Sequence, residues 1–421
     1  MIVPEIVPVI VLGAGLAGLS AAVAARAAGH PVTVLEAAPQ PGGRCRSFHD
    51  ATLGRLIDNG NHLIMGANPA LFGLLGRVGG PGLTAIRPAA YPYLDLLSGR
   101  TWTIRPGPGP LPLWLARAAT RPPDTAPLDY LPALRLLRAG PEDTVSGLLG
   151  GNERVFEALW RPLAEGVLNT APEEAAAAPL ARVLAQTLLK GEAASRPYVA
   201  DSGLGPALIA PCQDWLEKQG VELRTGCAVS AIEDDGRRVT RLLTRHGPLA
   251  VDGATRVILA LSNPAAHALR PDLVPALPTR PIVNAHFRLD APPSLPGDLP
   301  LLGLTGGTAH WLFGRGDVLS VTVSAASGLA EQPAEAVAAI LWADCAKALG
   351  TPGAPLPPCR VIKEKRATIA HTPASERQRP GPATRLANLI LAGDWTRTGL
   401  PCTLEGAVRS GQAAAERLGA G

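Results

Sequence analysis

The stretch Ile6-Val7-Pro8-Val9-Ile10-Val11-Leu12-Gly13-Ala14-Gly15-Leu16-Ala17-Gly18 decides the fold. Its first seven residues are mostly β-branched and apolar, the pattern of a strand buried on both faces. The next six have the spacing Gly-x-Gly-x-x-Gly. An alanine-rich run from Leu19 to Ala28 predicts a helix that Gly29 ends. Pro31 to Leu35 predicts a second strand, with Glu36 at its end. Strand, glycine loop, helix, strand and acid together make a βαβ unit suited to a dinucleotide. In such a unit Gly13 permits the tight turn, Gly15 lets the backbone approach a pyrophosphate, and Gly18 lets helix and strand pack closely. Leu16 and Ala17 open the helix whose amides and positive dipole end face the phosphates. Glu36 stands 18 residues after Gly18, placed to accept hydrogen bonds from a ribose diol.

The remainder of the chain narrows the class. Its 421 residues suffice for two or three domains, and 47% apolar residues supply a core. The 46 glycines and 43 prolines are scattered without period, which excludes a collagen-like fold and points to a loop-rich globular one. A net charge of +4 is too small for a dedicated nucleic-acid binder. The six cysteines lack any metal-ligand spacing, so no metal site is expected and reduced, structural thiols are. Met1 to Leu12 has no basic region and reads as a strand, not a signal peptide; no apolar run is long enough to cross a membrane. These features suggest a cytoplasmic protein.

After Glu36 the chain reads Ala37-Ala38-Pro39-Gln40-Pro41-Gly42-Gly43-Arg44. This resembles the glycine-glycine-arginine extension of the FAD-dependent amine oxidase and phytoene desaturase superfamily. Gly42 and Gly43 would bring the backbone under a diphosphate, and the Arg44 guanidinium would pair with its charge. Near the other end, Leu389-Ile390-Leu391-Ala392-Gly393-Asp394-Trp395 predicts a buried strand ending in Gly-Asp, and Gly399 to Ala407 opens a helix reaching Leu418. This resembles the second flavin motif of the superfamily. The resemblance implies that Asp394 holds the ribityl chain. It also implies that Gly60, Asn61, Val229, Gly393, Thr403, Leu404 and Ala407 contact FAD, with the backbone of Val229 meeting adenine. The fold implied is α/β: a Rossmann-like FAD domain of residues 1–88, 200–268 and 384–421, and an α+β substrate domain of residues 89–199 and 269–383. Within the latter, 89–199 reads mostly as short helices, Pro300 to Val323 as a strand meander, and Val361 to Ala370 as a further strand.

Further strings, among them Asp58-Asn59-Gly60-Asn61-His62, Leu168-Asn169-Thr170 and Ala370-His371-Thr372-Pro373-Ala374-Ser375, resemble the bacterial hydroxysqualene dehydroxylases of hopanoid biosynthesis. That resemblance implies a long-chain isoprenoid substrate whose allylic hydroxyl is replaced by hydride from reduced FAD. A carotenoid or phytoene-type desaturase is the alternative, and a flavin amine oxidase a third. Aromatic residues are only 4% of the chain, and Leu400, Pro401 and Cys402 stand where an amine-binding aromatic cage is expected. His62 is the leading candidate for protonating the departing hydroxyl, because histidine titrates near neutrality; it can equally bond a backbone carbonyl or the flavin ring. Asp58 and Glu405 are alternatives, each also readable as a turn or helix cap. Asn61 would orient the hydroxyl or touch flavin. The reductant of FAD and the oligomeric state are left open by the sequence.

Residues 111–138 carry Leu128, Leu131, Leu134 and Leu137 at a three-residue step, with Arg117, Arg135 and Arg138 nearby. They read either as a peripheral membrane surface or as an amphipathic helix facing the core.

Overall fold

Every residue of the strand Val9–Leu12 is buried, as its apolar run requires. The computed structural model describes residues 5–419; Met1–Pro4 and 420–421, the outer ends of the expected FAD domain, lie outside the described residues. In chain order the framework begins with β1 (Val9–Leu12), α1 (Leu16–Ala27), β2 (Val32–Leu35), α2 (Pro69–Val78), β3 (Tyr91–Asp95), β4 (Thr101–Ile104) and α3 (Arg161–Leu168). It continues through β5 (Glu222–Arg224), β6 (Val229–Asp234), β7 (Val239–Thr244), β8 (Gly247–Ala250), β9 (Arg256–Leu259) and β10 (Thr279–Arg288). It closes with β11 (Leu301–Thr305), β12 (Trp311–Arg315), β13 (Val318–Val323), α4 (Ala334–Ala348), β14 (Cys359–Ile369), β15 (Leu389–Leu391) and α5 (Leu404–Glu416).

Five strands form a parallel sheet in the order β5-β2-β1-β9-β15. They are drawn from three separate stretches of chain, and each long excursion between them returns to the same sheet. Side chains alternate across β1. Val9 and Val11 pack with α1 and α5, whereas Ile10 and Leu12 pack with Ile232, Val239 and Leu242 of the antiparallel β6–β8 layer. Both faces are therefore covered, as a parallel sheet demands. The helices α1 and α5 approach closely enough that a Cβ on Gly411 would lie 2.2 Å from the Ala17 carbonyl oxygen. The Ser20 hydroxyl crosses this contact to donate to Val408 O at 3.0 Å.

The intervening segments build a seven-stranded sheet in the order β14-β10-β13-β12-β11-β3-β4, antiparallel except where β11 runs beside β3. Along β13, Leu319, Val321 and Val323 face Val337, Leu341 and Cys345 of α4. The residues between them, Ser320 and Thr322, face the opposite way, toward the loop 58–62. The period of two thus gives this sheet one dry face and one chemical face.

Two expectations for residues 89–199 change. The segment is not mostly helical at its start, because β3 and β4 pair there and join the large sheet. Their aromatic and β-branched residues suit a pleated surface, and Tyr93 stacks on Trp102 at 5.4 Å between ring centroids. The neighbouring prolines obscured this pattern in the sequence. Further on, Pro127–Arg138 winds as a helix with three residues per turn, and its leucine row is exposed instead of facing the core. Tyr130 and Leu136 point inward in its place. Among the described residues, no helix is long and apolar enough to cross a membrane.

Candidate active site

The glycine loop is held by backbone geometry. Gly13 adopts φ +101°, a conformation that side chains disfavour, and its amide donates to Leu35 O at 2.7 Å. Gly18 has no room for a side chain, since a Cβ there would come 1.9 Å from Gly13 O. Gly15 is the opposite case: a Cβ would meet nothing within 4 Å. Its backbone bridges to Gly42, and no side chain caps the first turn of α1. The donors of Ala17 and Gly18 are thus left for an anion.

Glu36 does more than mark a strand end. Its carboxylate accepts from Ala14 N at 2.7 Å and from Ala38 N at 2.8 Å, buckling the glycine loop to the chain beyond β2. Its backbone carbonyl accepts from Cys227 N at 2.8 Å, which brings Val229, at the start of β6, to the same end of the sheet. Gly42 N donates to Ala14 O at 2.8 Å, so the second glycine pair lies against the first loop.

Arg44 joins the two ends of the chain. One guanidinium nitrogen lies 2.8 Å from Asp394, another donates to Ala367 O on β14, and Asp394 is buried. Burial opposes both charges, but their mutual attraction outweighs it; Arg44 is raised and Asp394 is held below the usual carboxylate range. Gly393 N donates to Ser410 Oγ at 2.8 Å, tying this motif to α5. Thr403 caps α5 by accepting from Gly406 N at 3.1 Å, with Leu404 and Ala407 in the first turns. A recess between Arg44, Thr279, Ala367, Asp394, Trp395 and Cys402 separates the two motifs. Burial raises the Cys45 thiol to about 12 and pushes Cys402 higher still, so neither is a thiolate at neutral pH.

The loop 58–62 sits above the chemical face of the large sheet. Asn61 Nδ2 donates to Thr322 Oγ1 at 3.0 Å, and Thr322 donates to Asn284 Oδ1 at 2.8 Å. Gly60 packs over Asn284, leaving 3.2 Å between its would-be Cβ and Asn284 Nδ2. Asp58 accepts from Arg315 at 2.6 Å, from Leu204 N at 3.0 Å and from Ser47. A cavity lies here, lined by Asp58, Asn61, His62, Leu204, Phe313 and Ser320. Burial and then the nearby Arg44 push the His62 imidazole down to about 4. At neutral pH the ring rests uncharged and lines this cavity beside Asn61. Glu405 is engaged elsewhere. It is buried, accepts from Ala70 N and Leu71 N at 3.1 Å each, and pairs with Arg409 at 2.7 Å. It therefore caps α2, whose own Asn68 makes no side-chain cap bond.

The strongest organiser of the site is one that sequence reasoning missed. Arg379, only 2% exposed, donates to the carbonyls of Asp394 (2.8 Å), Trp395 (3.3 Å), Thr396 (2.6 Å) and Leu400 (2.7 Å), and to Glu376 at 3.1 Å. Glu376 in turn lies 2.6 Å from His371 Nδ1, and His371 Nε2 accepts from Cys402 N at 2.9 Å. The tautomer follows: Nδ1 carries the proton. Burial would raise the Glu376 carboxyl, but His371 and Arg379 hold it low. This network fixes the turn from Asp394 to the start of α5. The only signal in the sequence was the His371 string, which carried no role.

A model of the flavin containing amine oxidoreductase family matches residues 16–419. The chain is 40% identical over 407 residues to the hydroxysqualene dehydroxylase of Sinorhizobium fredii, covering 96% of this chain and 97% of that protein. It is likewise 40% identical over 408 residues to the hydroxysqualene dehydroxylase of Rhodopseudomonas palustris, with the same coverage. Cyclohexylamine oxidase from Brevibacterium oxydans superposes with a TM-score of 0.73 over 99% of both chains at 19% identity, a likeness of fold.

Proposed function

Because this chain belongs to the flavin containing amine oxidoreductase family, and within it to the hydroxysqualene dehydroxylases, we propose that it is an FAD-dependent oxidoreductase that reduces hydroxysqualene to squalene. The observation that carries this reading is the reach of the 40% identity, which spans 96% of the chain and so includes the substrate-side segments as well as the flavin motifs.

The residues present fit FAD. The open space beside Gly15 and the uncapped first turn of α1 suit a diphosphate. Glu36 retains lone pairs for a ribose, Arg44 and Asp394 border the recess toward the second motif, and α5 points its N-terminus at the same region. Replacing a carbon–oxygen bond by carbon–hydrogen consumes one hydride and one proton and releases water. FAD, when bound and reduced, supplies the hydride.

The chain must supply orientation, a hydrogen bond to the departing oxygen, and a dry pocket. His62 is the donor assigned to that oxygen, passing to it the proton that the reaction takes up from solvent, with Asn61 beside it and locked by Thr322. Asp58 acts as a positioning group, since its oxygens are engaged by Ser47, Leu204 N and Arg315. The loop before α5 presents Leu400, Pro401 and Cys402, which suits an apolar chain better than an ammonium.

Anaerobic mixing tests the reading. The purified protein is loaded with FAD, reduced, and given hydroxysqualene in detergent, while flavin absorbance and extracted product are followed together. Reoxidation with stoichiometric squalene is expected. Flavin that stays reduced with hydroxysqualene, but becomes reduced when oxidised enzyme meets a more saturated polyene, would replace this reading with the desaturase.

A further inference from the structure

The described residues expose eleven large apolar side chains, and six of them fall within residues 111–137: Leu111, Leu113, Leu128, Leu131, Leu134 and Leu137, each 54–73% exposed. Four of these sit on the helix Pro127–Arg138, at a step of three residues. In a helix of three residues per turn, side chains at i and i+3 eclipse, so the four leucines stand in one straight ridge of about 18 Å. An α-helix would have wound the same row around its surface.

The ridge is held outward from beneath. Trp114, Tyr130 and Leu136 are buried in one aromatic cluster with Trp102, Leu149 and Trp160. Thr120 bonds the Trp114 carbonyl, and Thr125 pairs with the Tyr130 hydroxyl at 2.9 Å. The leucines are thus presented by a rooted platform and not by a loose loop.

The charge around the ridge is one-sided. Arg117, Arg135 and Arg138 are exposed beside it. Of the two acids in the segment, Asp124 pairs with Arg100 and Asp129 accepts from Ala126 N at 2.7 Å while keeping its charge, so its arginines leave the segment net positive. An apolar ridge flanked by exposed guanidinium groups matches a bilayer surface, with leucines entering among acyl chains and arginines meeting anionic headgroups.

We propose that residues 111–138 form a docking face for the surface of an anionic lipid bilayer. The face joins the aromatic cluster that contains Leu159, Trp160 and Leu168 of the substrate-side helices, so it would set this part of the molecule on the membrane. The proposal concerns binding and stands on this surface whatever the enzyme reduces.

The test is co-sedimentation of the FAD-loaded protein with sucrose-loaded vesicles. One set contains phosphatidylcholine with phosphatidylglycerol, the other phosphatidylcholine alone. Wild type is expected to pellet with the anionic set and to release as salt rises. Leu131→Ser/Leu134→Ser should weaken that binding by about ten-fold or more, and Arg117→Glu/Arg138→Glu should abolish the preference for the anionic set. Both variants alter exposed side chains, and retained flavin absorbance confirms folding. Wild type that pellets with neither set overturns the proposal, as does variant binding equal to wild type. Self-association in gel filtration that the serine variant abolishes, without vesicle binding, overturns it in favour of a second copy on the ridge.

Discussion

The glycine loop at Gly13–Gly18 and the leucine ridge at Leu128–Leu137 are both short periodic stretches, yet the fold treats them in opposite ways. The loop is gripped from far along the chain. Glu36 accepts the Ala14 amide, Gly42 donates to the Ala14 carbonyl, and Gly411 of α5 lets that helix close on Ala17. The ridge has support beneath it and no partner above it. The loop is over-determined by tertiary contacts, whereas the ridge rests on a firm base alone. Substitutions should therefore cost stability steeply at the first and hardly at all at the second.

The sharpest break should come at Arg379. Arg379→Ala would leave four carbonyl groups and Glu376 without their buried donor, at an expected cost of about 3–5 kcal/mol. Chemical denaturation and flavin retention would measure it. Loss of FAD with little loss of stability would show instead that Arg379 serves the cofactor more than the turn.

Glu405→Gln comes next. The amide can accept from only one of the two α2 donors, so about 1–3 kcal/mol should be lost. Turnover per bound flavin should stay near wild type. A fall of two orders of magnitude would restore Glu405 to the chemistry.

Acid should act through buried imidazoles. Burial holds His62, His286 and His310 each at about 4, whereas unfolded histidine titrates near 6.5. Their contribution to stability is complete above pH 6.5 and is lost as pH falls from there toward 4. Burial raises Glu165, beside His310, to about 7, which acts in reverse: its contribution is full below about 4.5 and fades as pH rises through 7. His286, the fully buried one of the three, adds at most about 1.4 kcal/mol per pH unit, and the partly exposed His62 and His310 add less. Thermal melts at pH 6.5 and 4.5 should show a smaller drop for His286→Gln than for wild type. Equal drops would mean that His286 is charged in the folded state.

The smallest effect is expected on the ridge. Leu131→Ser should change stability by less than about 0.5 kcal/mol, because the side chain is already in water. A larger loss by thermal melt would place Leu131 in a packed interface.

Legibility in the sequence follows the range of each interaction. Gly13 to Gly18, Glu36, the Gly42-Gly43-Arg44 string and Gly393-Asp394 were readable because their chemistry is local: a turn, a dipole end and a short polar string. Glu405 was misread because a first-turn carboxylate looks like its own helix's cap, whereas its partners lie on α2, 334 and 335 residues earlier. The resting charge of His62 was not legible because it depends on burial and on Arg44, neither of which is a property of its neighbours in the chain. Arg379 carried no signal, since its role is defined by carbonyl groups whose residue types do not matter.

By itself, the sequence determined the βαβ unit, the glycine-rich strings and the apolar runs that become buried strands, because backbone conformation and hydrophobic pattern are written residue by residue. Tertiary structure alone decided that Arg44 meets Asp394, that Asn61 rests on Thr322, and that the leucine row faces outward. Those outcomes depend on which surfaces the long excursions of the chain bring together. A three-residue period in sequence cannot say whether the helix that carries it will turn every three residues or every 3.6.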